Sequence, residues 1–266
     1  MYPPLWHIQE GDHMPLVATA IHDGHALRAG LYEALALTED DCMREEDPNT
    51  GIWARTADTW VIANRSRFEV DLNRPRDKAI YRTSEDAWGL WVWRHPPDEA
   101  MIATSLAQYD DFYATMQHIF HRMERRFGRF VVYDLHTYNH RRDGPDAPPA
   151  DPASNPDVNV GTGTMLDRSR WAGVIERFMH DLRAAEIVGR HLDVRENVKF
   201  RGGHFAHWTH RTFPQSACVL SIEFKKFFMD EWYHNPYDKH IIAIREALKS
   251  TMPGVVAALS HVEAGT

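Results

Sequence analysis

Three stretches of this chain end in groups that can bind a divalent metal. The apolar run Val131-Val132-Tyr133 stops at Asp134-Leu135-His136-Thr137, the run Leu16 to Ile21 stops at His22-Asp23-Gly24-His25, and an acid-dense segment closes on Glu45-Glu46-Asp47-Pro48. A catalytic zinc takes three protein ligands and keeps a fourth position for water, and His, carboxylate, His is a common set. His22 with His25, the acids Glu45 to Asp47, and His136 are therefore candidate ligands, with Asp134 placed to steady an imidazole. Ligands so far apart make no local signature such as H-E-x-x-H, and ordinary loop histidines are the competing reading.

Two further places carry chemistry. In Ser66-Arg67-Phe68-Glu69-Val70-Asp71-Leu72-Asn73-Arg74-Pro75, alternation predicts a strand with Phe68, Val70 and Leu72 on one face and Asn73-Arg74 at its end. A guanidinium fork suits a carboxylate, so Arg74 with Asn73 is a candidate anchor for an acidic substrate, and Arg67 can polarise a scissile carbonyl. A surface strand laced with salt bridges reads equally well. In Leu220-Ser221-Ile222-Glu223-Phe224 a lone acid interrupts an apolar strand. Burial would raise its pKa toward the range of a general base, unless an arginine pairs with it structurally.

These residues need elements to hold them. Strands are predicted at Leu16–Ile21, Thr59–Ala63, Phe68–Leu72, Val131–Tyr133 and Ala217–Ile222, with helices at Ala26–Leu37, Ala107–Phe127, Trp171–Ala185 and Ile241–Leu248. Asp40 to Gly51 reads as a helix end or loop, and Arg201-Gly202-Gly203-His204 as a turn. Asp143 to Pro156 holds five prolines and almost no apolar residue, which makes it a long loop, either a linker or a lid. Helices alternating with buried strands on both sides of this loop imply one α/β domain with an inserted loop.

Composition narrows the function. A chain of 266 residues with 43% hydrophobic residues can bury a substantial core. Its net charge of -8 argues against general affinity for nucleic acid or an anionic membrane and favours a small-molecule or peptide substrate. Cys42 and Cys218 are too few for a thiolate zinc site, so any metal falls to histidine and carboxylate. No run reaches membrane-span length and Met1 to Glu10 lacks the order of a signal peptide, so the cytoplasm is the expected compartment.

Taken together, these segments resemble the N-formylglutamate amidohydrolase family, whose fold is related to the zinc carboxypeptidases and aspartoacylase. Ser66 to Pro75 resembles the family's S-R-hydrophobic-x-hydrophobic-D-x-N-R-P segment, and Asp134-Leu135-His136-Thr137 its D-x-H-S segment. Asp157-Val158-Asn159-Val160-Gly161-Thr162, then Gly202-Gly203-His204, then Glu223 follow in the family's order. The resemblance implies a single catalytic domain spanning residues 1–266, built on a central mixed, largely parallel sheet flanked by helices. It also implies zinc-dependent hydrolysis of an N-acyl amino acid, N-formyl-L-glutamate first among them, with a carboxypeptidase or another deacylase as the alternative. A binding protein on the same fold would be marked by loss of Glu223 or a zinc histidine, and all are present.

The resemblance assigns roles by position. His22 is similar to the first zinc histidine and His136 to the second. Asn73-Arg74 resembles the pair that grips a substrate carboxylate, and Glu223 the general base. Carboxypeptidases carry an acid three residues after the first histidine, where this chain has His25. The family instead places an acid before the S-R segment, which here means Asp47 or Glu46, with His25 as the fallback. Arg67 would stabilise the oxyanion with the zinc, Arg201 or His204 would meet a second polar group, and Asp134 would orient a ligand. Thr137 replaces the usual serine, and His140-Arg141-Arg142 would reshape the pocket.

Overall fold

A computed structural model describes residues 4–262; residues 1–3, part of the leading segment read above, and 263–266 lie outside the described residues. Seven strands form one sheet: β1 (Trp6–Gln9), β2 (Leu16–Ala20), β3 (Thr59–Ala63), β4 (Phe130–Tyr138), β5 (Val158–Gly161), β8 (Val194–Glu196) and β9 (Ala217–Lys225). A small hairpin pairs β6 (Glu186–Ile187) with β7 (Arg190–His191). The sheet order is β1-β3-β2-β4-β9-β5-β8. The β3-β2, β2-β4, β4-β9 and β5-β8 pairs are parallel, and β1-β3 and β5-β9 are antiparallel. This is the mixed, largely parallel α/β sheet that the sequence implied.

Side-chain alternation sorts the strands into two faces. Leu16, Ala18, Val131, Tyr133, Leu220 and Ile222 pack with Trp53 and with residues of α5 (Ala172–Ala184) and α7 (Asp238–Leu259). Val17, Val61, Phe130, Val132 and Val219 pack under α4 (Glu99–Phe127) and α6 (His204–Thr212). Burial on both faces explains why the central strands read as nearly continuous apolar runs. Helix α4 is longer than predicted: Asp98 caps its start by accepting from Met101 N, and Gly128, at φ +75°, ends it in a conformation that other residues resist.

The predicted strand at Phe68–Leu72 is a series of turns. Its alternation arises because Phe68 enters a satellite cluster with Leu27, Leu31 and Tyr81, while Val70 and Leu72 enter the core beneath α4. The helix predicted at Ala26–Leu37 shrinks to α1 (Leu31–Ala34), since Ala26 instead bridges to Arg65. The acid-dense segment holds two short helices, α2 (Glu39–Glu45) and α3 (Thr50–Ala54), with Glu46 to Asn49 as their link. Strand β4 extends to Tyr138, so Asp134 and His136 lie inside the strand, not past its end. The short strands β1, β5 and β8 and helix α6 carried too little pattern to be predicted. Among the described residues, no helix is long and apolar enough to cross a membrane.

Candidate active site

From β2 the chain passes to β3 on one side and later to β4 on the other. Such a switch in direction leaves a crevice at the carboxyl ends of parallel strands. His22 lies two residues beyond β2, and His136 lies near the carboxyl end of β4. Asp134, His136, Ser221 and Glu223 share the parity of Val132 and Val219, so they face the α4 and α6 side of the sheet.

Two polar rows cross the strands on that face. In the first, Thr19, Asp134 and Ser221 are in register, and both hydroxyls donate to the Asp134 carboxylate, at 3.0 and 3.3 Å. In the second, His136, Glu223 and Asn159 are in register across β4, β9 and β5.

The link between α2 and α3 carries Asp47 into this crevice, where its N–H donates to the His22 carbonyl at 2.9 Å. Asp47 Oδ2 stands 2.9 Å from His136 Nδ1 and 3.4 Å from His22 Nδ1, and Thr137 Oγ1 donates to Oδ1 at 2.9 Å. The far nitrogen of each ring meets another carboxylate: His22 Nε2 lies 2.8 Å from Asp71 Oδ1, and His136 Nε2 lies 3.2 Å from Asp134 Oδ1. A proton held on Nε2 by that carboxylate leaves the Nδ1 lone pair facing Asp47.

The donor set fits a metal ion. Two imidazoles and a carboxylate offer one ligand atom each within 4.8 Å of one another. His22 Nδ1 is buried with no hydrogen-bond partner, an orphan that an ion would satisfy. Tetrahedral zinc, with bonds of about 2.0–2.1 Å, holds its ligand atoms about 3.3 Å apart, close to the 2.9 and 3.4 Å from Asp47 Oδ2 to the two imidazole nitrogens. Glu46 and His25 lie outside this group: Glu46 accepts from Ser66 Oγ and meets His25 Nδ1 at 2.7 Å.

Burial alone would raise the pKa of Asp47, but the neighbouring imidazoles of His136 and His22 hold it far below the usual carboxylate range. Burial also opposes charge on His136, yet the Asp134 and Asp47 carboxylates outweigh it and raise the imidazole's pKa. Glu223 differs from both. Its carboxyl makes no hydrogen bond with any described residue, and burial, reinforced by Asp47 and Asp134, lifts its pKa to about 8 against the pull of His136 and Arg67.

Asp71, not singled out by its type, is the hub of the turns after Ser66. It accepts from Arg67 Nη2 and from Asn73 N, each at 2.8 Å, and from the Tyr81 hydroxyl, besides meeting His22. The signal that could have found it was the D of the S-R-x-x-x-D-x-N-R-P segment.

The crevice opens into a cleft of about 360 Å³. His22, Asp47, His136, Glu223, Arg67, Asn73 and Arg201 all line it. Arg67 donates to Tyr81 Oη, the Glu45 carbonyl and Asp71, which uses three of its five N–H groups. Gly203 abuts Asn73, where a Cβ would come within 2.3 Å of Oδ1. Arg201 has neither an ion-pair nor a side-chain hydrogen-bond partner among the described residues, so its charge is free to meet a ligand. The cleft also gathers Glu45, one of the candidate acids, which bonds to Arg142 and Asn139 and lies outside the donor set, and residues that the sequence reading missed: Arg44, Trp88, Lys199 and Lys226.

Arg74 and His204 are not part of the cleft lining. Arg74 packs over the Tyr81 ring at 4.6 Å and donates to the Asp86 carbonyl at 2.5 Å, and the His204 N–H donates to the Asn73 carbonyl at 3.2 Å. Arg142 lines the cleft and forks onto Glu45 at 3.0 and 3.2 Å, while His140 and Arg141 border a separate cavity of about 220 Å³. The Asp143 to Pro156 segment contains no helix or strand and adds no residue to the cleft lining.

Comparison with known protein families places the chain among the hydrolases. It belongs to the N-formylglutamate amidohydrolase family, whose model matches residues 14–229. Among solved structures it is similar to the N-formylglutamate amidohydrolase of Ralstonia eutropha JMP134, at 15% identity and a TM-score of 0.74, over 97% of this chain and 98% of that one. It is also similar to the gene product Atu2144 of Agrobacterium tumefaciens, at 17% identity and a TM-score of 0.68, over 97% of each chain. No curated protein matches it.

Proposed function

We propose that this chain is a metal-dependent hydrolase of N-acyl amino acids, and that its substrate is N-formyl-L-glutamate, cleaved to L-glutamate and formate. The observation that carries this reading is the convergence of His22 Nδ1, His136 Nδ1 and Asp47 Oδ2 beside the unpartnered carboxyl of Glu223. His22, Asp47 and His136 would hold a zinc ion, which when bound would activate water and polarise the amide carbonyl. Glu46 and His25 then support the loop, with no bond to the metal.

Glu223 takes the proton from the attacking water and returns it to the departing amine as the C–N bond breaks. Its half-buried setting suits both duties, because a pKa near the working pH allows either direction of transfer. Arg67 offers its two remaining N–H groups to the carbonyl oxygen as negative charge develops there. Asn73 and the free guanidinium of Arg201 bind the carboxylates of the amino acid. Arg74, expected at the substrate carboxylate, contributes through its ion pair with Asp71, 3.5 Å from Nε to Oδ2, and His204, expected at a second polar group, through its N–H on the Asn73 carbonyl. Asp134 and Asp71 fix the two imidazole rings.

The family and the acidic surface favour a free small molecule in the cytoplasm as the partner, with no nucleic acid or membrane. The test is release of formate from N-formyl-L-glutamate, with N-acetyl and peptidyl glutamate alongside. The formyl substrate is expected to give the highest kcat/KM, and hydrolysis of the peptidyl substrate alone would move the reading to a carboxypeptidase.

A further inference from the structure

Lys226 is the next residue after β9 and lies three positions beyond Glu223, with a side chain almost wholly removed from solvent at 1% exposure. A buried ammonium is costly unless it is fully engaged. Among the described residues no carboxylate bonds to it. Its Nζ donates to two main-chain carbonyls, that of Arg44 at 2.5 Å and that of Glu46 at 2.8 Å. Its own N–H donates to the Tyr138 carbonyl at the end of β4, 3.0 Å away.

These carbonyls belong to the last turn and the C-cap of α2, where a helix has no N–H groups of its own left to offer. The next residue is Asp47. One lysine thus ties together the strand of Glu223, the strand of His136 and the link that carries the carboxylate between the two histidines. Asp47 is also held through its N–H to the His22 carbonyl, through its own carbonyl, which accepts from Thr50 Oγ1 at 2.7 Å, and through Thr137 Oγ1 and His136 Nδ1 on its carboxylate. Lys226 also lines the cleft.

We propose that Lys226 is a positioning residue: by clamping the Arg44 and Glu46 carbonyls it sets where the Asp47 carboxylate stands relative to His22 and His136. The inference rests on the metal centre proposed above. It differs from a purely structural role, in which the lysine would only keep α2 attached to the sheet. A structural role lowers the melting temperature, and a positioning role changes metal affinity in protein that remains folded.

The test is titration of metal-stripped protein with Zn2+ alone, followed by calorimetry, for wild type, Lys226→Met and Lys226→Gln, with thermal unfolding of each. Methionine keeps length and removes all donors, and glutamine keeps a neutral donor. The expected result is a loss of about 10- to 100-fold in Zn2+ affinity for Lys226→Met, as for loss of other groups that orient metal ligands, and a smaller loss for Lys226→Gln. Activity of Lys226→Met should recover most of its kcat at saturating Zn2+. If Lys226→Met does not fold, Lys226→Gln carries the same comparison. Folded variants that bind Zn2+ within twofold of wild type would overturn the proposal while leaving the metal centre standing. Failure of the wild type to bind Zn2+ would overturn the metal centre and this role with it.

Discussion

His136 on β4 and Glu223 on β9 are direct partners in register across two parallel strands, and both face the same side of the sheet. Backbone hydrogen bonding therefore fixes the distance between a candidate metal ligand and the candidate base, with no loop intervening. Function that depends on this pair should divide cleanly between them. Glu223→Gln keeps shape and removes the base, so it is expected to retain metal and lose about 10²- to 10⁴-fold in kcat, measured by formate release. Retained activity would remove Glu223 from the chemistry.

The raised pKa of Glu223 has a consequence for stability in the metal-free protein. Its carboxyl titrates near 4.5 when unfolded and at about 8 when folded, so the folded state binds the proton more tightly. The stability this gives is fully present below about pH 4.5 and is lost as pH rises through about 8. Glu223→Gln lacks this dependence. Its melting temperature relative to wild type should climb between about pH 5 and 8 and then level off, when both are scanned with chelator present. A difference that does not change with pH would contradict the desolvated, unpartnered setting.

Glu46 and Asp47 are adjacent acids with separate surroundings. Glu46 is buried but held by Ser66 and His25, and its replacement by glutamine should leave Zn2+ affinity within about threefold of wild type, a change of about 0.7 kcal/mol. His25→Ala should behave in the same way. A large loss of metal in either, read by calorimetry, would move the third ligand away from Asp47.

Asp71 joins His22, Arg67, Asn73 and Tyr81 within one buried carboxylate. Asp71→Asn leaves the Arg67 guanidinium without its charge partner and frees the His22 ring. It is expected to cost about 3–5 kcal/mol of stability and to weaken metal binding about 10- to 100-fold. Denaturant unfolding and Zn2+ titration check the two effects separately.

Arg201 carries the uncommitted charge in the cleft. Arg201→Ala should raise KM about tenfold or more, the loss of one charge-assisted hydrogen bond, with kcat within a few-fold. Loss confined to kcat would place Arg201 at the reacting carbonyl and leave the carboxylate to other residues.

Much of this architecture was legible in residue order because central strands and long helices repeat one signal over many residues. Thr59 to Ala63 matched its strand residue for residue. His22, His136 and Glu223 were visible because polar groups stood out against apolar runs. The turns at 68–72 were read as a strand because turns that feed two separate cores imitate the alternation of a half-buried strand. The choice between Glu46 and Asp47 could not be read locally, since adjacent acids are distinguished only by which partner the fold brings to each. Lys226 carried no signal, because a lysine bonded to main-chain carbonyls looks in sequence like any surface lysine.

The central claim is that His22, Asp47 and His136 form one metal centre, and titration of metal-stripped protein with Zn2+ tests it most directly. Wild type is expected to bind about one ion per chain, with Asp47→Ala folded but unable to bind it. A wild type that binds no Zn2+, or an Asp47→Ala variant that binds it equally well, would contradict the account.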